Sequence, residues 1–224
     1  MVRHASISIV IVAVFAAPAI AQDGVRVYVG GLFGVSTLSA DARALATPDM
    51  ASASSYKPEN GPALNLFAGA HLARYVTLQA NYIFNANDLS LFASTTAPDG
   101  GAFYEQMRES AQHTFVADVL VYFRARGQKV RPYLGTGLAI VRFDSPDAAP
   151  GVVSGISPPT GSISATQIAL RSHVGIDLSL GSGWSFRYSF SETIGPNPVS
   201  RHLMPAGRRG LANFQNLFGV LRHF

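Results

Sequence analysis

The sequence predicts an all-β fold: an eight-stranded antiparallel up-and-down β-barrel that crosses a membrane, with short periplasmic turns and four long extracellular loops. Three observations predict it. Eight stretches alternate apolar and polar residues with a period of two, which gives a strand two chemically different faces. The connections between them alternate short and long, as hairpins do in a membrane barrel. Only 13% of residues are charged, against ~25% in soluble domains, and mean hydropathy is +0.21. Past the leader, no stretch is apolar enough to cross as a helix.

The leader is the start of the 224-residue chain. Arg3 and His4 precede the apolar run "ISIVIVAVFAA", and Ala19-Ile20-Ala21 has the small-x-small form of a cleavage site. The run is too short to span a bilayer as a helix. Residues 1–21 therefore read as a secretory signal peptide and 22–224 as one barrel domain. The chain has no cysteine, so an exported protein with no disulfide must draw its stability from elsewhere. A net charge of +4 with no dense basic run argues against a nucleic-acid partner.

The predicted strands follow in order. The first runs from about Gly24 to Ser36, with Val25, Val27, Val29, Phe33 and Val35 on one face. The second, Pro62 to Leu72, sets Leu64, Leu66, Ala68 and Ala70 against Asn65, Phe67, Gly69 and His71. The third, Tyr75 to Asn85, sets Val76, Leu78, Ala80, Tyr82 and Phe84 against Thr77, Gln79 and Asn81. His113 to Arg124 and Val130 to Phe143 are the fourth and fifth. The sixth, Thr166 to Leu180, alternates most regularly: Ile168, Leu170, Val174, Ile176 and Leu178 oppose Gln167, Arg171, His173 and Asp177. The seventh, Trp184 to Ile194, and the eighth, Leu211 to Phe224, complete the set. Short turns fall near Ala73-Arg74, Ala125 to Lys129 and Gly181 to Gly183. Long connections span Thr37 to Gly61, Ala86 to Gln112, Asp144 to Ala165 and Gly195 to Gly210. The second of these holds a short helix or a strand extension. The third, rich in Pro, Gly and Ser, is expected to be mobile.

Alternation alone does not say which face is inside, because a soluble lipid-binding barrel alternates too. Here the polar face is small and weakly charged, which suits a narrow lumen rather than a water-facing exterior. Aromatics gather near the strand ends at Tyr75, Tyr82, Phe84, Phe123, Phe143, Trp184 and Phe224, as in an interfacial belt. The apolar face is therefore assigned to lipid. Inside, buried charges need partners, and the expected network has Asp118 and Asp177 neutralising Arg171 and Arg187, with His173 beside them.

No catalytic residue, metal site or cofactor is assigned. The histidines are dispersed without ligand spacing, and no G-x-S-x-G elbow is present. "RYSFSETIGPN" places Ser189, Ser191 and Glu192 on the seventh strand with no sequence reason for a histidine beside them. Arg201, Arg208 and Arg209 on the last long loop are candidates for lipopolysaccharide phosphate, since guanidinium groups bind phosphate through paired hydrogen bonds. Outer-membrane lipid, lipopolysaccharide and an undefined extracellular ligand are the expected partners of a monomer.

The ending "FGVLRHF" resembles the C-terminal signal that the barrel-assembly machinery reads in bacterial outer-membrane barrels. Phe218, Gly219, Val220 and Phe224 carry the likeness, while Arg222 stands where an aromatic is usual. "VYVGGLFG" and "RPYLGTGLA" also resemble the small eight-stranded barrels of the OmpA transmembrane-domain and OmpX type. The resemblance runs from Gln22 to Phe224 and implies the outer membrane as location, with no peptidoglycan-binding domain beyond the barrel. That family hosts anchors, adhesins and a few enzymes. The expectation is a non-enzymatic protein for envelope integrity, surface interaction or adhesion. The alternatives are an enzyme modifying lipid A or phospholipid, or a narrow pore.

Overall fold

The computed structural model describes residues 26–98 and 100–224. The expected signal peptide and the first two residues of the first predicted strand lie outside the described residues. The strands are β1 (Arg26–Leu38), β2 (Asp41–Thr47), β3 (Met50–Pro58), β4 (Gly61–His71), β5 (Val76–Ala97), β6 (Gly100–Tyr122), β7 (Val130–Ser145), β8 (Val152–Ser154), β9 (Ile163–Gly181), β10 (Trp184–Pro196) and β11 (Gly210–His223). Eight of them form an antiparallel ring in the order β1-β4-β5-β6-β7-β9-β10-β11. The ring closes where β1 pairs with β11 from Tyr28↔His223 to Leu38↔Asn213. Each predicted stretch falls on one ring strand, and closure leaves no unpaired edge around the ring.

The two faces separate as the alternation predicts. Phe33, Leu138, Ile140, Leu170 and Leu180 are exposed on the outer wall, and Ile168 is 73% exposed. Asn65, Thr77, Gln79, Asn81, Ser189 and Gln215 are buried inside. In water this barrel would be inside out. In hydrocarbon it buries its polar side chains while its backbone groups pair within the sheet.

Three expectations are corrected. First, two of the long connections continue the sheet. β5 and β6 run on as one hairpin to the pair Ala97↔Gly100, so of the two forms expected for the second connection it takes the strand extension. In the first, β2 and β3 form a hairpin around Pro48-Asp49, and β3 pairs with the extension of β5 from Ala51↔Thr96 to Pro58↔Leu89. The Ala and Ser residues of β2 and β3 have weak strand propensity, so only the edge offered by β5 makes them strands. Second, the segment expected to be mobile is tied down. β8 pairs with Tyr104 and Glu105 of β6. Buried Arg108 donates to Ser145 Oγ (3.1 Å), to the carbonyls of Pro146 (2.7 Å) and Gly161 (2.8 Å), and to that of Pro159.

Third, the lumen is not polar throughout. Phe143, assigned to the interfacial belt, points inward. It shares its side of β7 with Tyr133, Gly135, Gly137 and Ala139, and that parity, rather than its place at a strand end, sets its direction. With Leu38, Leu89, Leu91, Ile163 and Leu211 it forms an apolar cluster at the long-loop end, completed by Val199 and Leu203 of the last connection. That connection folds over the barrel. Asn197 Oδ1 accepts from the amides of Val199 and Ser200 (3.0 Å each), and Ser200 Oγ donates to Asp41 Oδ2 (2.6 Å). Nearer the short turns, Tyr28, Leu32, Phe67, Leu217 and Leu221 form another inward cluster.

Tyr28 fits inside because its cross-strand partner is Gly69. A Cβ at Gly69 would strike the Tyr28 ring and hydroxyl. Gly69→Ala is expected to destabilise the barrel by about 1–3 kcal/mol, the usual effect of overpacking, measured as the urea midpoint of heat-modifiable gel migration. In a Tyr28→Ala background the same change should lose most of that effect; an equal loss in both would break the proposed contact.

Candidate functional site: a charged layer in the lumen

Register brings the lumen charges together. Arg187 on β10 is the cross-strand partner of Asp177 on β9. Its Nε lies 2.6 Å from Asp177 Oδ1 and its Nη2 lies 2.8 Å from Oδ2. Nη1 donates to Gln79 Oε1 (2.7 Å), and Nη2 also donates to the Tyr122 hydroxyl (2.8 Å), which itself donates to Asp177 Oδ2 (2.8 Å). The rings of Tyr133 (4.8 Å), Phe67 (4.9 Å) and Tyr28 (5.5 Å) surround the guanidinium. This is a bidentate pair in which all three guanidinium nitrogens are hydrogen-bonded, the geometry that a buried ion pair needs.

The second pair spans a gap. Asp118 on β6 stands opposite Gly137 on β7, which in turn stands opposite Arg171 on β9. With no side chain at Gly137 to block the way, Arg171 Nη1 reaches Asp118 Oδ2 at 2.5 Å; a Cβ there would strike Asp118 Oδ1. The two pairs are joined through Gln79 Nε2 to Asn81 Oδ1 (2.7 Å) and Asn81 Nδ2 to Asp118 Oδ2 (2.8 Å). His173 Nε2 lies 3.4 Å from Asp118 Oδ2. Neither ring nitrogen makes a hydrogen bond among the described residues, and neither does Asp118 Oδ1 or Arg171 Nε. The Asp177 half of the layer is saturated, and the Asp118 half is not.

The structure thus places Asp118, Arg171, His173, Asp177 and Arg187 in one buried layer. Sequence reasoning missed that Gln79 and Asn81 connect the pairs, and it missed the aromatic enclosure and Arg131. Arg131 shares the inward parity of Tyr133, which was the available signal. The loop arginines do not form a layer. Arg208 is exposed, with Nε 3.7 Å from Asp41 Oδ1, and Arg201 and Arg209 are exposed without an ion pair among the described residues. At the chain end, Phe218, Val220 and Phe224 face outward. The Phe218 ring lies 4.4 Å from that of Phe33, and Gly219 packs against the β1 backbone at Gly31 and Leu32. Arg222 covers the Trp184 ring at 5.3 Å and donates to Ser182 O (2.5 Å).

For chemistry, Ser191 Oγ donates to Gln215 Oε1 (3.2 Å), and Ser189 and Ser191 face the lumen while Glu192 lies on the other side of β10. Ser185 Oγ approaches His223 Nε2 at 3.3 Å near the short turns. Among the described residues there is no group of three or more His, Cys, Asp or Glu placed to hold a metal.

Asp177→Asn leaves a buried guanidinium without its counter-charge and is expected to destabilise by about 3–5 kcal/mol, followed by fluorescence of Trp184 in urea. Replacing both partners, Asp177→Leu with Arg187→Met, should lose less than either single change. A double variant as unstable as the sum of the singles would deny the pairing.

Residues 7–199 match the family described as outer membrane protein beta-barrel domain. The crystal structure of the outer membrane protein OprG from Pseudomonas aeruginosa superposes with a TM-score of 0.53 at 12% identity, covering 90% of this chain and 96% of that one. Neisserial surface protein A superposes with a TM-score of 0.50 at 15% identity, covering 90% and 98%. No curated protein matches the sequence.

Proposed function

This chain belongs to the outer membrane protein beta-barrel domain family, and on that premise we propose that it is a non-enzymatic barrel with a closed lumen that serves surface interaction and envelope integrity through its long-loop end. In this reading the short turns face the periplasm and the long connections face outward. The observation that carries it is the contrast between the two ends of the lumen and the wall above them. The lumen is crossed by two ion pairs and topped by the segment holding Val199 and Leu203. By contrast, β5 and β6 have 22 and 23 residues. A tilted membrane strand needs ~9–11 residues. The rest, roughly a dozen residues at ~3.4 Å each, raises a wall about 40 Å long beyond the bilayer.

The outer face of that wall is mixed: Phe92 stands opposite Glu105, Phe103 opposite Ser94 and Met107 opposite Ser90. Leu45, Phe92, Phe103, Met107, Val152 and Val153 are exposed on it and on the short strands flanking it. Large apolar side chains exposed beyond the bilayer, interleaved with polar ones, suit a face that meets other surfaces. The exposed Arg201, Arg208 and Arg209 add a basic element suited to lipopolysaccharide phosphate. No lipid-modifying chemistry is assigned.

Two measurements test the reading. In planar bilayers the reconstituted barrel should give no stable conductance step of nanosiemens size; a sustained step would refute the closed lumen. Cells carrying Phe92→Ser, Phe103→Ser and Met107→Ser together should adhere several-fold less to apolar and epithelial surfaces at equal surface abundance, and unchanged adherence would remove the wall as the working face. Separately, replacing Arg201, Arg208 and Arg209 with Gln should reduce lipopolysaccharide co-purification; full retention would discard those contacts.

A further inference from the structure

At the short-turn end of the lumen, positive charge outnumbers negative: Arg26, Arg126, Arg131 and Arg187 gather near one carboxylate, Asp177. Arg131, the second residue of β7, faces inward and is 7% exposed. Its Cζ lies 3.8 Å above the Tyr122 ring. Register sets it opposite Asp177, but both oxygens of that carboxylate are taken by Arg187 and Tyr122. Arg131 Nε and Nη2 are buried and have no hydrogen-bond partner among the described residues. These two nitrogens form one edge of the guanidinium, the fork that receives two oxygens of an oxyanion.

Other donors face the same mouth. Arg126, in the turn between β6 and β7, donates through Nη2 to the carbonyls of His71 (3.0 Å) and Ala73 (2.8 Å) at the neighbouring β4–β5 turn. Its Nε is also buried without an acceptor. Burial, and then the charges of Arg131 and Arg26, hold the Arg126 guanidinium below its ordinary pKa. The rings of His71 and His223 stack at 5.7 Å with 13° between their planes, and Ser185 Oγ sits by His223.

We propose that this mouth is a phosphate site, in which Arg131 takes two phosphate oxygens through its Nε–Nη2 edge and Arg126 Nε supplies a further donor. A planar carboxylate presents its acceptor sites in a single plane. A tetrahedral oxyanion offers oxygens in other directions, and its charge matches two guanidinium groups lacking a carboxylate of their own. The phosphate comes either free from solution or as the headgroup of a phospholipid from the adjoining leaflet.

The test uses the mature barrel in maltoside micelles, which contain no phosphate. Inorganic phosphate is titrated while the Nε–H resonances of the arginines are followed by NMR, with chloride at equal ionic strength as control. The Arg131 and Arg126 resonances should shift saturably with phosphate and not with chloride. Arg131→Gln should weaken the apparent affinity at least tenfold, and Arg131→Lys, which keeps charge and loses the fork, should fall between. In a second arm, native mass spectrometry of protein released from phosphatidylglycerol nanodiscs counts retained lipid. One lipid kept by the native chain and lost in Arg131→Gln, without a response to inorganic phosphate, assigns the headgroup as source; a response to inorganic phosphate without lipid retention assigns the free ion. Native protein that neither shifts with phosphate nor retains phosphatidylglycerol overturns the site, whatever the variants do.

Discussion

A charge enclosed by hydrocarbon must bring its partner with it, and the Arg187–Asp177 contact answers that requirement for the whole barrel. The guanidinium is fully buried, held by two carboxylate oxygens, an amide and a phenol, and enclosed by aromatic faces. Removing either ion would strand the other in a low-dielectric interior, which is far less favourable than never having placed the pair there. The rest of the lumen is arranged around that contact. Gln79 and Asn81 carry hydrogen bonds from it to Asp118, so the two ion pairs behave as one layer binding strands on opposite sides of the ring.

The layer depends in turn on register. A one-residue slip in any ring strand would send its polar side chains into lipid. Closure of β11 on β1 fixes the register of the last strand, and residues without bulk let the wide ones in: Gly69 admits Tyr28, and Gly137 lets Arg171 meet Asp118. The same register carries β5 and β6 on beyond the ring as one long hairpin, to the pair Ala97↔Gly100.

The ring was legible because lipid on one side and a narrow lumen on the other impose strict alternation, as in Ile168 to Leu178 against Gln167 to Asp177. The inward residues and the pairing of Arg171 and Arg187 with aspartates could be read from parity and charge alone. What parity could not supply was the number of strands outside the ring. β2 and β3 are built from Ala and Ser, whose conformation is decided by the edge that β5 presents rather than by their own preference. Phe143 was misplaced because position near a strand end was weighed above its side of the strand. Arg131 was overlooked because sequence places it opposite Asp177 without revealing that Arg187 and Tyr122 already occupy that carboxylate.

The central claim, that a desolvated Arg187–Asp177 pair locks the lumen, is most directly tested by solid-state NMR of the labelled barrel in lipid bilayers. Strong dipolar coupling between Arg187 Nε and the Asp177 carboxyl carbon, with guanidinium protons that exchange slowly with water, is the predicted result. Absence of that coupling, with fast proton exchange at Arg187, would contradict it.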